Sequence, residues 1–377
     1  MPAKLPTTIT IPAAIDLHVH LREPGLNKAE TIASGTKAAL LGGYGLVCDM
    51  PNNPGSPIWS KQLLDKKQAI IKRTAYIPVA TYAGSQPESN NLDELVKMAP
   101  TSIGLKLYGA PTTGNHQDYT AAQFADIVST WHTAAPKKPI MLHAGQANLQ
   151  DFISLIAKKH RHPLHLCHVN SAGDVAVIKK AKQKGLPVTC GVCPHHLFKT
   201  SHDELSEGWF ARMQPPLARQ SEAEELFKLF VSGDIDILET DHAPHSPDAK
   251  LTAESENPRA IHDANHTTCF GVAGIEFALP LLLYQVKTGR LKLSRLIQAT
   301  STKPAKIIGI KLDKRDQVTW STEQYRIGTA YPKGLSKAGW TPYLDKLAVG
   351  RVEQVKIGGK TLVKKGKILA KLPKVVI

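Results

Sequence analysis

The chain has 377 residues, 42% of them hydrophobic and 21% charged, a balance that suits a soluble globular protein with room for one large α/β unit or two ordinary domains. No run approaches 18 uninterrupted apolar residues and Met1-Pro2-Ala3-Lys4-Leu5-Pro6 lacks a secretory apolar stretch, so no membrane span and no export signal are expected. The formal charge of +15 is spread along the chain without a nucleic-acid motif and with only 6% aromatic residues, so it reads as a solvated surface rather than a nucleic-acid site.

Apolar, β-branched runs alternate with amphipathic stretches. Strands are predicted at Ala14–Leu21, Leu46–Met50, Ala75–Tyr82, Ile103–Tyr108, Pro139–Ala144, Leu164–Val169, Pro187–Val192 and Ile235–Thr240. Between them, helices are predicted at Lys28–Leu41, Lys61–Ile71, Ala121–His132, Ala172–Lys184 and Ser221–Val231, the first stopped by Gly42-Gly43. A long loop follows the eighth strand from about residue 242 to 271, then helices at Val272–Val286, Leu293–Thr300 and Pro304–Ile310. Beyond Lys314 the pattern changes to short strands around Val352–Ile357, Thr361–Val363 and Lys367–Leu369, turned at Gly358-Gly359 and Lys365-Gly366.

This alternation predicts a (β/α)₈ TIM-like barrel, with an open doubly wound sheet as the alternative. The placement of polar residues favours the barrel. His18, His20, Asn52, Lys106, His143, His168 and Asp241 all fall at or just past the carboxyl ends of predicted strands. Only closure brings the first strand beside the eighth, so that these residues share one mouth.

The most telling segment is Asp16-Leu17-His18-Val19-His20-Leu21-Arg22-Glu23-Pro24-Gly25. Side chains two apart on a strand point the same way, so His18 and His20 form half of a metal site, and Arg22 follows on the same side. The five cysteines, Cys48, Cys167, Cys190, Cys193 and Cys269, are odd in number and sparse, and read as reduced thiols of a cytoplasmic protein. Cys190-Gly191-Val192-Cys193 runs through a predicted strand, so its two thiols read as buried and structural. His160, His162 and His165 read as surface or supporting residues, and His195-His196 as supporting hydrogen-bond partners.

The His18-x-His20 segment resembles the first signature of dihydroorotases, metal-dependent cyclic amidohydrolases. The second appears as Glu239-Thr240-Asp241-His242-Ala243-Pro244-His245, with Lys250 after it; Glu239 departs from the small residue usual there. Gly104-Leu105-Lys106-Leu107-Tyr108, Leu142-His143-Ala144, Leu166-Cys167-His168-Val169 and Pro194-His195-His196-Leu197-Phe198 follow the family's order, and the resemblance runs from about Ala13 to Tyr343.

The resemblance implies a barrel over residues 13–311 and a small β-rich extension from residues 1–12 and 312–377, supplied mainly by the C-terminal segment. It implies two metal ions. His18 and His20 would hold one, His143 and His168 the other, Asp241 would complete the first site, and Lys106, carbamylated by CO₂, would bridge them. Imidazole and carboxylate donors rank Zn²⁺ ahead of Mn²⁺, Co²⁺ and Fe²⁺. The implied reaction is reversible cyclisation of N-carbamoyl-L-aspartate to L-dihydroorotate through a metal-bridged hydroxide, with Asp241 as base and acid. Arg22, Asn52 and His245 would grip the substrate α-carboxylate and Gln214, in place of the usual Asn, would meet the ring amide. Thr112 and Thr113 would hold substrate from a mobile loop. Where some relatives carry an acidic residue this chain has Gly191, so an accessory metal contact there is expected to be missing. A homodimer or a complex with other pyrimidine enzymes is left open. The rival readings are a dihydropyrimidinase, hydantoinase or allantoinase, a catalytically silent homologue acting as an assembly partner, and a basic nucleic-acid-binding module.

Overall fold

The computed structural model describes residues 5–85, 91–110, 119–144, 148–256, 269–328 and 336–372. After β1 (Thr8–Pro12), parallel strands follow in chain order: β2 (Ala14–Val19), β3 (Tyr44–Asp49), β4 (Val79–Thr81), β5 (Ala83–Gly84), β6 (Leu105–Tyr108), β7 (Ile140–His143), β8 (Leu164–Leu166), β9 (Val188–Val192) and β10 (Ile237–Leu238). Each except β5 overlaps an expected strand; the third was expected to end at Tyr82, and β5 lies just beyond it. Every neighbour in the sets β2-β3-β4 and β5-β6-β7-β8-β9-β10 pairs in parallel. Val19, at the end of β2, forms a parallel bridge with His242 beyond β10, and His20 N donates to His242 O at 2.8 Å. The end of the first strand of the series thus meets the segment that follows the last.

Period-2 alternation divides these strands between two apolar clusters. Leu105, Leu107, Ile140 and Leu142 join the large cluster that also takes helix residues such as Leu64, Ile127 and Phe230. Leu17, Leu46, Cys48, Tyr82, Met141, Cys167 and Ile237 form a second cluster with Ala305 and Ile308. Lys106 lies between Leu105 and Leu107, so it faces the second cluster's side, where its Nζ reaches Cys167 Sγ at 3.4 Å.

The connecting helices are set by local chemistry. Thr31 and Thr120 make capping boxes at the starts of Ile32–Leu41 and Ala121–Ala134, and Ser60 and Ser171 cap Lys61–Thr74 and Ala172–Gln183. Two expectations need correction. The segment after β10 is not all loop: Pro247–Glu256 is helical. The next helix begins at Ala278 rather than Val272. Val272 is committed to a bridge with His242, and Gly274 N donates to His242 Nδ1 at 3.3 Å, so this backbone is used before a helix can start.

The C-terminal strands β11 (Gln317–Ser321), β12 (Gln324–Arg326), β13 (Leu347–Val349), β14 (Val352–Ile357), β15 (Lys360–Lys364) and β16 (Lys367–Ile368) include the three strands expected there and three that were not. β1-β11-β14-β15-β16 form one antiparallel sheet, turned between β14 and β15 at Gly358 and Gly359, both with positive φ. Trp320 of β11 is buried and anchors this sheet against the turn before β3: a Cβ at Gly43 would lie 2.2 Å from the indole. Replacing Trp320 with Ala is expected to cost about 3–5 kcal/mol, as for other buried aromatic truncations. Urea unfolding measures it, and a loss below ~1 kcal/mol would show that the indole is not the anchor.

Candidate functional site

The backbone gathers five of the expected metal ligands at the carboxyl ends of the strands. His18 is the penultimate residue of β2 with His20 just beyond the strand, His143 ends β7, His168 lies two residues past β8, and Asp241 follows β10. All are buried. Asp241 Oδ1 lies 3.3 Å from His18 Nε2 and 3.1 Å from His20 Nε2, and His143 Nδ1 lies 3.0 Å from His168 Nε2. The two histidine pairs meet where the His18 and His168 rings stand 5.1 Å apart between centroids. His168 and Asp241, with Arg22, adopt positive φ, a conformation rare outside glycine. Half of the six described non-glycine residues with positive φ thus belong to this site, which is where strained backbone concentrates when geometry is imposed.

Burial pushes His18 and His168 well below the ordinary imidazole range and His143 down to about 3, and the charge of Lys106 lowers all three further. The imidazoles are therefore neutral, with lone pairs available. Burial alone would raise the Asp241 carboxyl, but His18, His20 and His168 overcome that and hold it well below the usual carboxylate range. Buried His18 Nδ1 and His20 Nδ1 have no hydrogen-bond partner. Neutral imidazoles converging on an ionised carboxylate are a donor set that fits a divalent cation. Lys106 is the misfit: a buried ammonium beside these rings opposes a cation.

The substrate-binding expectations divide. Arg22 is 1% exposed; its Nε donates to Pro244 O at 3.1 Å, its Nη2 meets His245 Nε2 at 3.2 Å, and its buried Nη1 has no partner. Burial lowers the guanidinium only to about 10, so it stays charged, whereas burial and then Arg22 hold His245 well below the imidazole range, so it stays neutral. Arg22 and His245 thus form one cationic receptor next to His20. Asn52 is buried just past β3. Gln214 is half-buried with an unpartnered Oε1, and its neighbour Pro215 lines a small cleft with Cys167, His168 and Asn170. Thr112 and Thr113 lie outside the described residues.

Several contributors were not anticipated. Asp16, two residues before His18, accepts hydrogen bonds from His18 N and Thr240 N, each at 3.1 Å, and from the Thr240 hydroxyl, so it ties β2 to the segment carrying Asp241. Its position on the same strand face as the two histidines was the available signal. Glu239 is fully buried. It accepts from His168 N, lies 3.4 Å from His165 Nε2, and occupies the space beside Gly191, where a Cβ would stand 2.5 Å from its Oε1. A carboxylate from just past β10 thus fills the space at position 191, and His18, Cys167 and Glu239 bring donor atoms within 4.8 Å of one another. His165 is a buried support for this carboxylate rather than a surface residue. Cys190 and Cys193 are buried and free, as expected. His196 Nε2 meets Pro215 O at 3.1 Å, whereas neither ring nitrogen of His195 has a partner.

Comparison with known proteins agrees with this geometry. The amidohydrolase family model matches residues 9–314. The chain is 32% identical over 373 residues to a dihydroorotase of Listeria innocua, covering 90% of this chain and 84% of that one. It is 34% identical over 364 residues to multifunctional protein CAD of Squalus acanthias, covering 96% of this chain but only 15% of CAD's length. Among solved structures, the L-hydantoinase (dihydropyrimidinase) of Arthrobacter aurescens superposes with a TM-score of 0.84 at 21% identity, over 97% of this chain and 87% of that one. The inactive dihydroorotase-like domain of a Chaetomium thermophilum CAD-like multifunctional protein gives a TM-score of 0.75 at 21% identity over 98% of each. These likenesses show a shared fold.

The packing of Glu239 against Gly191 makes the two positions interdependent. Gly191→Ala is expected to destabilise by about 1–3 kcal/mol, the range for overpacking a filled interior. Much of that cost should vanish in a Glu239→Ala background, which makes room for the methyl group. A double-mutant cycle by urea unfolding reads the coupling, and strictly additive costs would show that the carboxylate does not fill that space.

Proposed function

The chain belongs to the amidohydrolase family, and from that premise we propose that it is a dihydroorotase, interconverting N-carbamoyl-L-aspartate and L-dihydroorotate plus water in pyrimidine synthesis. The observation that carries this reading is the receptor made by Arg22 and His245 beside the histidine and aspartate cluster. A buried guanidinium with one unpaired nitrogen is a natural seat for a carboxylate. Dihydroorotate and carbamoyl aspartate carry an α-carboxylate that survives the reaction; dihydrouracil and hydantoin do not.

In this reading residues 13–311 are a closed (β/α)₈ barrel, supported by the Val19–His242 bridge, with residues 1–12 and 312–377 as its β-rich extension. His18, His20, His143, His168 and Asp241, together with a carbamylated Lys106, would hold two Zn²⁺ ions. Such ions supply an activated water and a polarised carbonyl, which opening a cyclic amide requires. Carbamylation also removes the misfit of Lys106, since it replaces an ammonium with an anion. Arg22, Asn52 and His245 hold the α-carboxylate, Gln214 meets the ring amide, and Thr112 and Thr113 contact substrate from their loop. Toward hydrolysis, Asp241 takes the proton from the attacking water and delivers it to the ring nitrogen as the C–N bond breaks; toward synthesis it moves the proton back. Its histidine neighbours keep Asp241 ionised, the form in which it can take that proton. A cytoplasmic setting, and a homodimer or an assembly with other pyrimidine enzymes as in the CAD relative, complete the proposal.

Arg22→Met is expected to lower kcat/KM for dihydroorotate by the equivalent of about 2–5 kcal/mol, the range for truncating one partner of a buried charged contact. Metal content should be unchanged, because Arg22 is not a ligand. The unaltered enzyme should turn over dihydroorotate and scarcely touch dihydrouracil, because the guanidinium would be left unpaired. Equal rates on both would move the hydantoinase reading ahead, and no turnover of either by metal-loaded protein would favour a silent homologue.

Lys106→Ala should lose bound metal and nearly all activity, with partial recovery on adding a small carboxylic acid. Metal analysis beside the hydrolysis assay decides this. A fully metallated, active Lys106→Ala protein would remove Lys106 from the metal bridge.

A further inference from the structure

A second group of donor side chains lies outside the centre just described. β9 ends at Val192, and Cys193 continues it in extended conformation, φ −94° and ψ 151°, into the short helix Pro194–Phe198. The turn brings Cys193, His195 and His196 together, with His196 N bonded to Cys193 O at 3.1 Å. All three side chains are at least 98% buried. One donor atom from each lies within 4.8 Å of the others, and the His195 and His196 rings stand 4.4 Å apart between centroids, edge to face. His195 Nδ1 and Nε2 and His196 Nδ1 are buried without a hydrogen-bond partner. Buried polar nitrogens are ordinarily paired, and three orphans beside one thiol need an explanation.

We propose that Cys193, His195 and His196 form a binding site for a borderline-soft divalent cation of the Zn²⁺ type, separate from the centre at His18, His20, His143, His168 and Asp241. Thiolate and imidazole are the donors such ions prefer over oxygen-only cages. Bond lengths of roughly 2.3 Å to sulfur and 2.0–2.1 Å to nitrogen place tetrahedral donors about 3.3–3.6 Å apart, so small side-chain rotations suffice from the separations here. Burial, Asp241, Glu239 and Asp16 push the free Cys193 thiol well above its ordinary range, so the thiolate forms only with the cation bound. Asp241 and Glu239 also act on His196 in the sense that favours positive charge. The nearest lysine, Lys199, has its Nζ engaged by both Glu207 carboxylate oxygens and by Pro342 O. Three protein donors leave a fourth position for water. Ion binding would release the thiol proton to solvent, and it requires neither oxidant nor reductant. The proposal is independent of which cyclic amide the enzyme opens.

Cobalt(II) loaded into metal-stripped full-length protein is the probe, because a Co²⁺–thiolate bond gives a charge-transfer absorption that histidine and carboxylate ligands do not. Cys193→Ser should abolish that absorption and lower zinc content by one equivalent per chain, and Cys167→Ser should leave the Cys193 contribution in place. Absorption lost only in Cys167→Ser would assign the thiolate to the His18, Cys167 and Glu239 group and overturn the proposal, as would a Cys193→Ser protein with unchanged zinc content. Should Cys193→Ser fail to fold, the unaltered protein still decides. Added Zn²⁺ should slow alkylation of Cys193, mapped by mass spectrometry, at least tenfold relative to the metal-stripped protein, and equal rates would sink the idea.

Discussion

Everything at the mouth of this fold depends on keeping one carboxylate, Asp241, ionised where there is almost no water. A buried carboxylate without partners would take up a proton. Here His18 and His20 converge on one of its oxygens at 3.3 and 3.1 Å, and they in turn are pressed toward neutrality by burial, with Lys106 adding to it at His18 and Arg22 at His20. The cluster is electrostatically unfinished as a set of protein groups alone: neutral donors point inward, some nitrogens have no partner, and an ammonium sits among them. Cations and a carbamate on Lys106 would complete it with the charges it lacks. Buried charge of this kind is poor evidence of stability and good evidence of a site.

The protein's own contribution is mostly orientation. Asp16 bonds the backbone on both sides of the seam between β2 and the segment after β10, and Glu239 fixes the backbone of His168. On the far side of the mouth, buried Glu30 bonds Ser34, Ser336 and Lys337 N and lies 3.4 Å from His242 Nε2, while Glu276 accepts from Ser336 N at 2.7 Å. His242 then passes its position to His20 through the backbone bond between them. Ser336, from the C-terminal segment, is in this way three contacts from His20. The positive φ of Arg22, His168 and Asp241 is tolerated because these contacts over-determine the backbone around them.

How much of this was legible in the chain depends on the range of the interaction. Strand positions and the helix start at Ala121 were readable because they follow from alternation and from a cap such as Thr120, both local properties. The first helix, by contrast, was expected from Lys28 and starts only at Ile32, after the Thr31 cap. The histidine pair was readable because two side chains two apart on a strand share a face. The helix within residues 242–271 and the late start at Ala278 were not, because the first has weak apolar periodicity and the second is delayed by a bridge to His242, a residue thirty positions earlier. β11, β12 and β13 are short and draw their partners from distant segments, so no local pattern marks them. The placement of Arg22 against His245, 223 residues away, was available only through resemblance.

The relation between Glu239 and Gly191 shows where residue-by-residue comparison misleads. Taken singly, each looks like a loss: a large acid where a small residue is usual, and a glycine where some relatives have an acid. In space they are one feature, since the Glu239 carboxylate lies where a side chain at 191 would have to pass. A parallel sheet makes such an exchange feasible. β9 and β10 are adjacent, with Gly191 paired to Ile237 and Leu238 to Val192, so a side chain just past the end of one strand can reach the space its neighbour vacates. In this chain a carboxylate stands beside His18 and Cys167, and it comes from just past β10. Residue-by-residue comparison scores two departures where the packing makes one, because the glycine leaves the Glu239 side chain its room.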